Sequence, residues 1–289
     1  ASPIIIFVLE HLMDYDKTVQ DVIDWHTENP VDILGIGNAE AELFYLRSHK
    51  GSYIRTIRDV DQLFDTRHAD KNILEIGSYL GPVCIPLKNI GYGVSAMELP
   101  EYQQSHRLRN LYETFNIPFE GVNLRDYKLP YESSTFDVVI ICEVLEHLSF
   151  NPLPILKEIN RILKDGGYIY IGMPNQSQIT QRFKLLTGRS VHDPVDHLFK
   201  QLDKQYNMLV GLHWREYTMA ETVEMINRMG FETYRKYYFM EPTQSGDNRF
   251  KSIIRRLVYI IPSFRPYQVV IGKKTSNPSY DFWRTMANS

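Results

Sequence analysis

The chain has only two cysteines, Cys84 and Cys142, too few for a disulfide framework, and a reduced cytoplasmic setting is the expectation. Neither sign of charge is in excess. With 32 basic and 35 acidic side chains the formal charge is −3, so no whole-protein positive field gathers nucleic acid or anionic membrane, and any polyanion binding is local. Long apolar runs are missing too: the apolar start Ile4–Leu9 is far short of a membrane span, and no basic region precedes it as a signal peptide needs. A soluble protein is therefore expected. No internal repeat or low-complexity tract is visible. Tyrosine and phenylalanine are plentiful, at 19 and 14, but they are scattered rather than interleaved with Lys and Arg, which argues against a nucleic-acid partner. What remains is a chain of 289 residues, 43% hydrophobic and 23% charged, enough to bury a sizeable core in one large domain or two small ones.

Residues 1–68 read as a mostly helical cap. Amphipathic pieces at Thr18–His26 and Ala39–Ser48 alternate with turn signals at Asn29-Pro30 and Gly51-Ser52. Ile33-Leu34-Gly35-Ile36-Gly37 imitates a nucleotide loop, but no strand-and-helix alternation follows it at the expected distance, so a plain turn is expected. From Asn72 the pattern changes. Ile73–Ile76, Gly93–Met97, Phe136–Cys142 and Tyr168–Gly172 read as buried strands, with crossover helices at Gly81–Ile90, Glu101–Phe115 and Pro154–Lys164. Such alternation predicts an α/β domain over 69–274, its parallel sheet covered on both faces. Lys164-Asp165-Gly166-Gly167 supplies a helix stop and turn. Residues 175–215 lose the alternation and read as an insertion covering the site. Thr218–Met229 resumes a helix, with Thr218 and Glu221 spaced as a capping box and Gly230 as the stop. Phe231–Met240 and Tyr267–Ile271 are two further strands joined by a basic amphipathic stretch, Phe250–Ile261, and 275–289 form a tail.

Leu74-Glu75-Ile76-Gly77-Ser78-Tyr79-Leu80-Gly81 places two glycines where a strand turns into a helix, a geometry that brings ligand and backbone together. Glu98 closes the next strand 21 residues beyond Gly77, the separation expected of a carboxylate that accepts both hydroxyls of a ribose. An adenosine-containing ligand fits both features. The structural alternative is that the glycines only permit close packing and Glu98 is solvated.

With these residues in place the sequence resembles the class I S-adenosylmethionine-dependent methyltransferases from about Asn72 to Lys273. Glu75–Gly81 is similar to the family's first motif, with Tyr79 where a further glycine is usual. Asn123-Leu124-Arg125-Asp126-Tyr127, with Leu129-Pro130 and Ser134–Val139 after it, resembles the third motif, in which Asp126 would hold the adenine amino group. Leu163–Tyr168 is similar to the lead into the fifth strand. The resemblance implies a Rossmann-like, mostly parallel sheet with an antiparallel last strand, and S-adenosylmethionine held by Glu75, Gly77, Ser78, Gly81, Glu98, Asp126, Tyr127 and Cys142. A nicotinamide dehydrogenase would account for Gly77, Gly81 and Glu98 but not for the rest.

Beyond the fourth strand, Glu143, Glu146 and His147 would share one face if a helix began there. Two uses follow from that grouping. His147 can act as the base that deprotonates a hydroxyl acceptor, or the three side chains can hold a divalent ion. The Glu-x-x-Glu-His order resembles the ubiquinone-pathway O-methyltransferases and the small-RNA 2′-O-methyltransferases, and the latter use it as a metal site. His213, in His213-Trp214-Arg215-Glu216-Tyr217-Thr218, would be the fourth ligand, although sugar methyltransferases carry a similar segment. Helix capping and salt bridging is the structural reading of Glu146-His147. His192 and His197, in His192-Asp193-Pro194-Val195-Asp196-His197, are candidate substrate contacts together with His213; a turn with solvated imidazoles is the alternative. Met173-Pro174-Asn175 and Phe183–Arg189 resemble segments of polysaccharide-cluster methyltransferases. The expected reaction is O-methylation of a sugar, a polysaccharide precursor or another polyhydroxylated small molecule. RNA, quinone or natural-product methylation and a non-catalytic adaptor are the alternatives. Arg249, Lys251, Arg255 and Arg256, backed by Ile253, Ile254, Leu257, Val258, Tyr259, Ile260 and Ile261, fit a packed connecting helix; the other reading is peripheral contact with a membrane or a lipid-linked or phosphorylated substrate.

Overall fold

The computed structural model describes residues 14–33, 39–64, 68–200, 211–241 and 255–278. Helix α1 (Tyr15–Glu28) starts where the Asp14 side chain accepts the Lys17 amide at 3.0 Å, and it buries Val19, Val22, Ile23 and His26, one stripe at helical spacing. Helix α2 (Ala39–Ser48) has the predicted bounds. The turn expected at Gly51-Ser52 is instead the first turn of α3 (Lys50–Asp61), and the break falls at His49. A glycine near a helix start disturbs little, because the first amides have no partner within the helix. Ile4–Leu9 and Leu34–Gly37 lie outside the described residues.

Seven strands, β1 (Asn72–Ile76), β2 (Gly93–Glu98), β3 (Phe119–Gly121), β4 (Phe136–Cys142), β5 (Leu163–Pro174), β6 (Phe231–Phe239) and β7 (Tyr267–Lys274), form one sheet in the order β3-β2-β1-β4-β5-β7-β6. The pairs among β1 to β5 are parallel, while β7 runs antiparallel to both β5 and β6, as expected for the last strand. Alternation along the strands sends Ile73, Val138, Ile140, Tyr170 and Ile271 to one core and Leu74, Ile76, Val139, Ile141 and Ile171 to the other. The first core also contains Val19, Val22, Ile23, Leu46, Ile57 and Val60, so the helical cap and the sheet share one core.

The connections are α4 (Cys84–Ile90), α5 (Pro100–Gln104), α6 (His106–Thr114) and α7 (Leu153–Ile162). Glu101–Phe115 is two helices rather than one, because Ser105 takes an extended conformation between them. Lys164–Gly167 is not a free turn. Phe136 pairs with Leu163 and Val138 with Tyr168, so these four residues bulge from β5, with Gly166 at φ +77°. The insertion carries α8 (Ile179–Leu186) and α9 (Val195–Lys200). Its chain returns to α10 (Met219–Arg228), where Thr218 and Glu221 form the predicted capping box. Of the basic stretch, Arg249 and Lys251 lie outside the described residues; Leu257, Ile260 and Ile261 are exposed, which a fully packed helix would not allow. Among the described residues no helix is long and apolar enough to cross a membrane.

Candidate active site

The carboxyl ends of β3, β2, β1 and β4 lie side by side, which brings Asp126, Glu98, the glycine loop and Cys142 to one edge of the sheet. At that edge Gly77 stands at φ +80°, its amide donating to the Met97 carbonyl at 2.8 Å. A Cβ on Gly77 would meet Val144 Cγ2 at 2.5 Å, and one on Gly81, at φ +74°, would meet Ile85 Cδ1 at 2.8 Å. Both glycines are therefore required by the chain itself, which packs Val144 and Ile85 against them. Ser78 is buried, its hydroxyl accepting from Tyr112 at 2.8 Å.

Tyr79, in place of the further glycine, adopts φ +50° and turns toward the cap. Its hydroxyl donates to the Glu42 carboxylate and lies 3.1 Å from the Glu42 carbonyl, and its ring meets Tyr45 edge to face at 5.5 Å. Its amide donates to Glu98 Oε1 at 2.8 Å, and the Leu99 amide reaches Oε2 at 3.1 Å. Burial raises the Glu98 pKa to about 7 against those two amide bonds. Glu75 is buried and accepts from the Cys84 thiol at 2.8 Å; desolvation pushes its pKa up to about 8. Asp126 and Tyr127 are exposed, Asp126 ending a 3₁₀ turn after β3 and Tyr127 at φ +52° with its ring 5.7 Å from Phe150. Cys142 ends β4 against Gly172, and burial raises its thiol pKa. This cradle of bare backbone, an acidic residue closing β2 and a second one beyond β3 fits a nucleoside-containing cofactor with an amino-acid portion.

The helix face expected for Glu143, Glu146 and His147 does not form. Glu143 is left-handed at φ +52°, its amide bonded to the Gly172 carbonyl at 2.9 Å, and Leu145–His147 is a 3₁₀ turn. The chain nonetheless brings Glu146, His147 and His213 together, with one ligand atom from each within 4.8 Å of the others; Glu143 is not part of that group. Glu146 is fully buried and neither carboxyl oxygen has a hydrogen-bond donor. Burial first, and the neighbouring Glu143 charge second, hold its pKa well above the carboxylate range. Capping is thereby excluded for this side chain, though its backbone carbonyl accepts the Trp214 amide at 2.8 Å.

His147 Nδ1 lies 2.9 Å from the Leu212 carbonyl, an acceptor only, so Nδ1 carries the hydrogen and Nε2 presents its lone pair. Burial, reinforced by His213, keeps its pKa below the usual value. His213 is the opposite case. Burial disfavours its charge, but Glu216 Oε1 at 3.0 Å from Nδ1 prevails and its pKa is raised. The two imidazoles sit 4.9 Å apart, nearly edge to face.

Beside His213 opens a small cleft lined by Gln176, Gln181, Lys184, Val191, His192, Asp193, His213 and Glu216. Two of the three predicted substrate histidines are there. His197 is not; it faces Asp193 Oδ1 at 3.9 Å, while Asp193 Oδ2 accepts the His213 amide at 2.8 Å. Sequence reasoning missed Gln176, Gln181 and Lys184 as lining residues. Glu216 lay within a quoted motif, and its three-residue spacing from His213 was the available signal.

This sheet order, with its antiparallel β7 and a glycine loop followed by an acidic residue at the end of β2, defines the class I S-adenosylmethionine-dependent methyltransferase fold. The chain belongs to the methyltransferase domain family, whose model matches residues 47–235. Similar solved structures include an S-adenosylmethionine-dependent methyltransferase of Thermotoga maritima, 19% identical, covering 84% of this chain and 98% of that one with a TM-score of 0.51. One from Mesorhizobium loti is 17% identical, covering 75% and 96% with a TM-score of 0.53. Curated relatives match over shorter lengths. An uncharacterized protein of Methanocaldococcus jannaschii is 29% identical over 86 residues, and an uncharacterized methyltransferase of Schizosaccharomyces pombe 46% over 43; the matches span 37% and 15% of their lengths.

Proposed function

We propose that the protein transfers a methyl group from S-adenosylmethionine to a hydroxyl oxygen of a sugar, a polysaccharide precursor or another polyhydroxylated small molecule. The observation that carries this reading is the cleft beside His213, whose lining is almost wholly hydrogen-bonding side chains, as a ring with several hydroxyls requires. Gly77, Ser78, Gly81, Glu98 and Asp126 are the cofactor residues in this reading, with Glu75, Tyr127 and Cys142 at their border. In this reading the cap meets the cofactor loop where Glu42 and Tyr45 engage Tyr79, and α8 lies over the acceptor. Bound S-adenosylmethionine supplies an electrophilic methyl carbon, so what the chain must do is orient the acceptor and take its proton. His147 is suited to take that proton, since burial holds it neutral and Leu212 fixes the hydrogen on Nδ1, which leaves Nε2 as the basic atom. Two unpaired thiols agree with a reduced cytoplasmic setting.

A second reading is favoured by one observation, the donorless Glu146 carboxyl beside two imidazoles. Glu146, His147 and His213 fit a divalent cation, and such a site would bind and orient the acceptor hydroxyl. This reading admits the 2′-hydroxyl of RNA as acceptor. Methyl incorporation measured across sugars, phenols and short RNA, with and without chelator, separates the readings. Incorporation into sugars that resists chelation supports the first, chelator-sensitive incorporation into RNA supports the second, and incorporation into phenols alone contradicts both.

A further inference from the structure

Helix α8 faces the wrong way for an ordinary surface helix. Its polar Gln181 and Lys184 turn inward to line the cleft, while Phe183, Leu185 and Leu186 point to solvent, Leu186 at 86% exposure. The next helix repeats the pattern, with Val195, Leu198 and Phe199 exposed on α9. A third exposed apolar group, Leu257, Ile260 and Ile261, leads into the Pro262–Phe264 turn, which packs against α8. Arg182 on α8 lies over the Phe264 ring at 5.0 Å and reaches Ser263 Oγ at 3.3 Å, and Asn175 Nδ2 holds the Ser263 carbonyl at 2.9 Å. Exposed apolar side chains on neighbouring segments mark a surface that something covers.

Charge selects the occupant. Arg182, Arg189 and Arg256 are exposed on these segments, against an exposed Asp196, in a chain whose net charge is −3. A second copy related by a two-fold axis would set these basic side chains against one another. An anionic lipid surface complements both the charge and the apolar side chains.

We infer that the α8–α9 insertion and the Leu257–Ile261 segment dock the protein on an anionic membrane surface, with Phe183, Leu186 and Phe199 entering the interface. Because Gln181 and Lys184 lie on the other face of the same helix, docking holds the acceptor cleft beside the lipid. Acceptors held at a membrane, such as glycosylated or phosphorylated lipid headgroups, are then within reach. The docking itself does not depend on which acceptor is methylated.

The test is flotation of the full chain with vesicles of phosphatidylcholine alone or mixed with phosphatidylserine, read without any activity measurement. Binding to the mixed vesicles should exceed that to phosphatidylcholine by about fivefold or more, the gain expected from a single basic side chain near an anionic surface, and should fall with added salt. Leu186→Glu with Phe199→Glu should weaken it by about tenfold or more, since both lose their apolar insertion, while the melting temperature and S-adenosylmethionine affinity stay at wild-type values. Arg189→Glu with Arg256→Glu should abolish the preference for phosphatidylserine. Absence of vesicle binding, binding indifferent to phosphatidylserine, or binding unchanged by Leu186→Glu with Phe199→Glu would overturn the inference. So would light scattering that shows a dimer which those substitutions dissociate, since the face would then belong to a second copy.

Discussion

The Tyr79 amide donates to the Glu98 carboxylate at 2.8 Å, so the residue that departs from the glycine pattern also holds the acidic group at the end of β2 in place. Through its side chain the same tyrosine engages Glu42 and Tyr45 on α2. The cofactor loop and the N-terminal cap are thereby joined at one position.

Tyr79→Phe keeps the amide bond and removes the hydroxyl. The expected loss is about 1 kcal/mol of local stability, that of one hydrogen bond to a charged partner at a part-exposed site. Amide hydrogen exchange should quicken in α2, residues Ala39–Ser48, and stay unchanged in β1 and β4. Equal protection of α2 in both proteins would show that the contact does not anchor the cap.

Cofactor affinity should depend on pH through Glu98. Its pKa is raised to about 7, and only the carboxylate accepts two hydroxyl hydrogens, so affinity is full above that pH. It should fall about tenfold for each pH unit below the midpoint. In Glu98→Gln this pH dependence should flatten, with affinity reduced by about tenfold to a hundredfold, the loss of a charge-assisted hydrogen bond. A wild-type binding curve flat between pH 5.5 and 8 would contradict the assignment.

His147→Ala should lower kcat by about a hundredfold to ten-thousandfold, the range of general-base catalysis, and leave the S-adenosylmethionine Kd within about threefold. Unchanged turnover would exclude His147 as the base. Chelator treatment that abolishes wild-type activity, with recovery on adding back a divalent metal, would favour the metal reading.

Asp137 binds the bulge of β5 to the start of β1, accepting Lys164 Nζ at 2.7 Å, the Asn72 amide at 2.9 Å and Lys71 Nζ at 3.3 Å. Burial opposes its charge, but these partners prevail and its pKa is lowered. Its contribution is therefore present above the ordinary aspartate pKa and is lost as pH falls through the depressed value. Asp137→Asn should cost roughly 1–2 kcal/mol near neutral pH in denaturant unfolding, and the difference should vanish in strong acid. A cost that persists there would mean that shape rather than charge is responsible.

The sheet was legible because buried parallel strands read as apolar runs: β1, β2 and β4 differ from their predicted bounds by at most one residue. Short β3 was missed, since three half-exposed or exposed residues leave no run to read. The cofactor edge was also legible, because glycines at positive φ and a carboxylate at fixed spacing have local causes. Glu143, Glu146 and His147 were read as a helical face, but the left-handed turn at Glu143 comes from the bond to Gly172 on the neighbouring strand, which a single segment does not reveal. Gln181 and Lys184 in the cleft were invisible for a related reason: α8 turns its polar face inward, against the usual pattern.

Titration calorimetry of S-adenosylhomocysteine into the wild type and Glu98→Ala tests the central claim most directly. One saturable site in the wild type, weakened at least tenfold in the variant and absent when NAD is titrated, is the predicted result. Heat of binding from NAD alone, or equal affinity in both proteins, would contradict it.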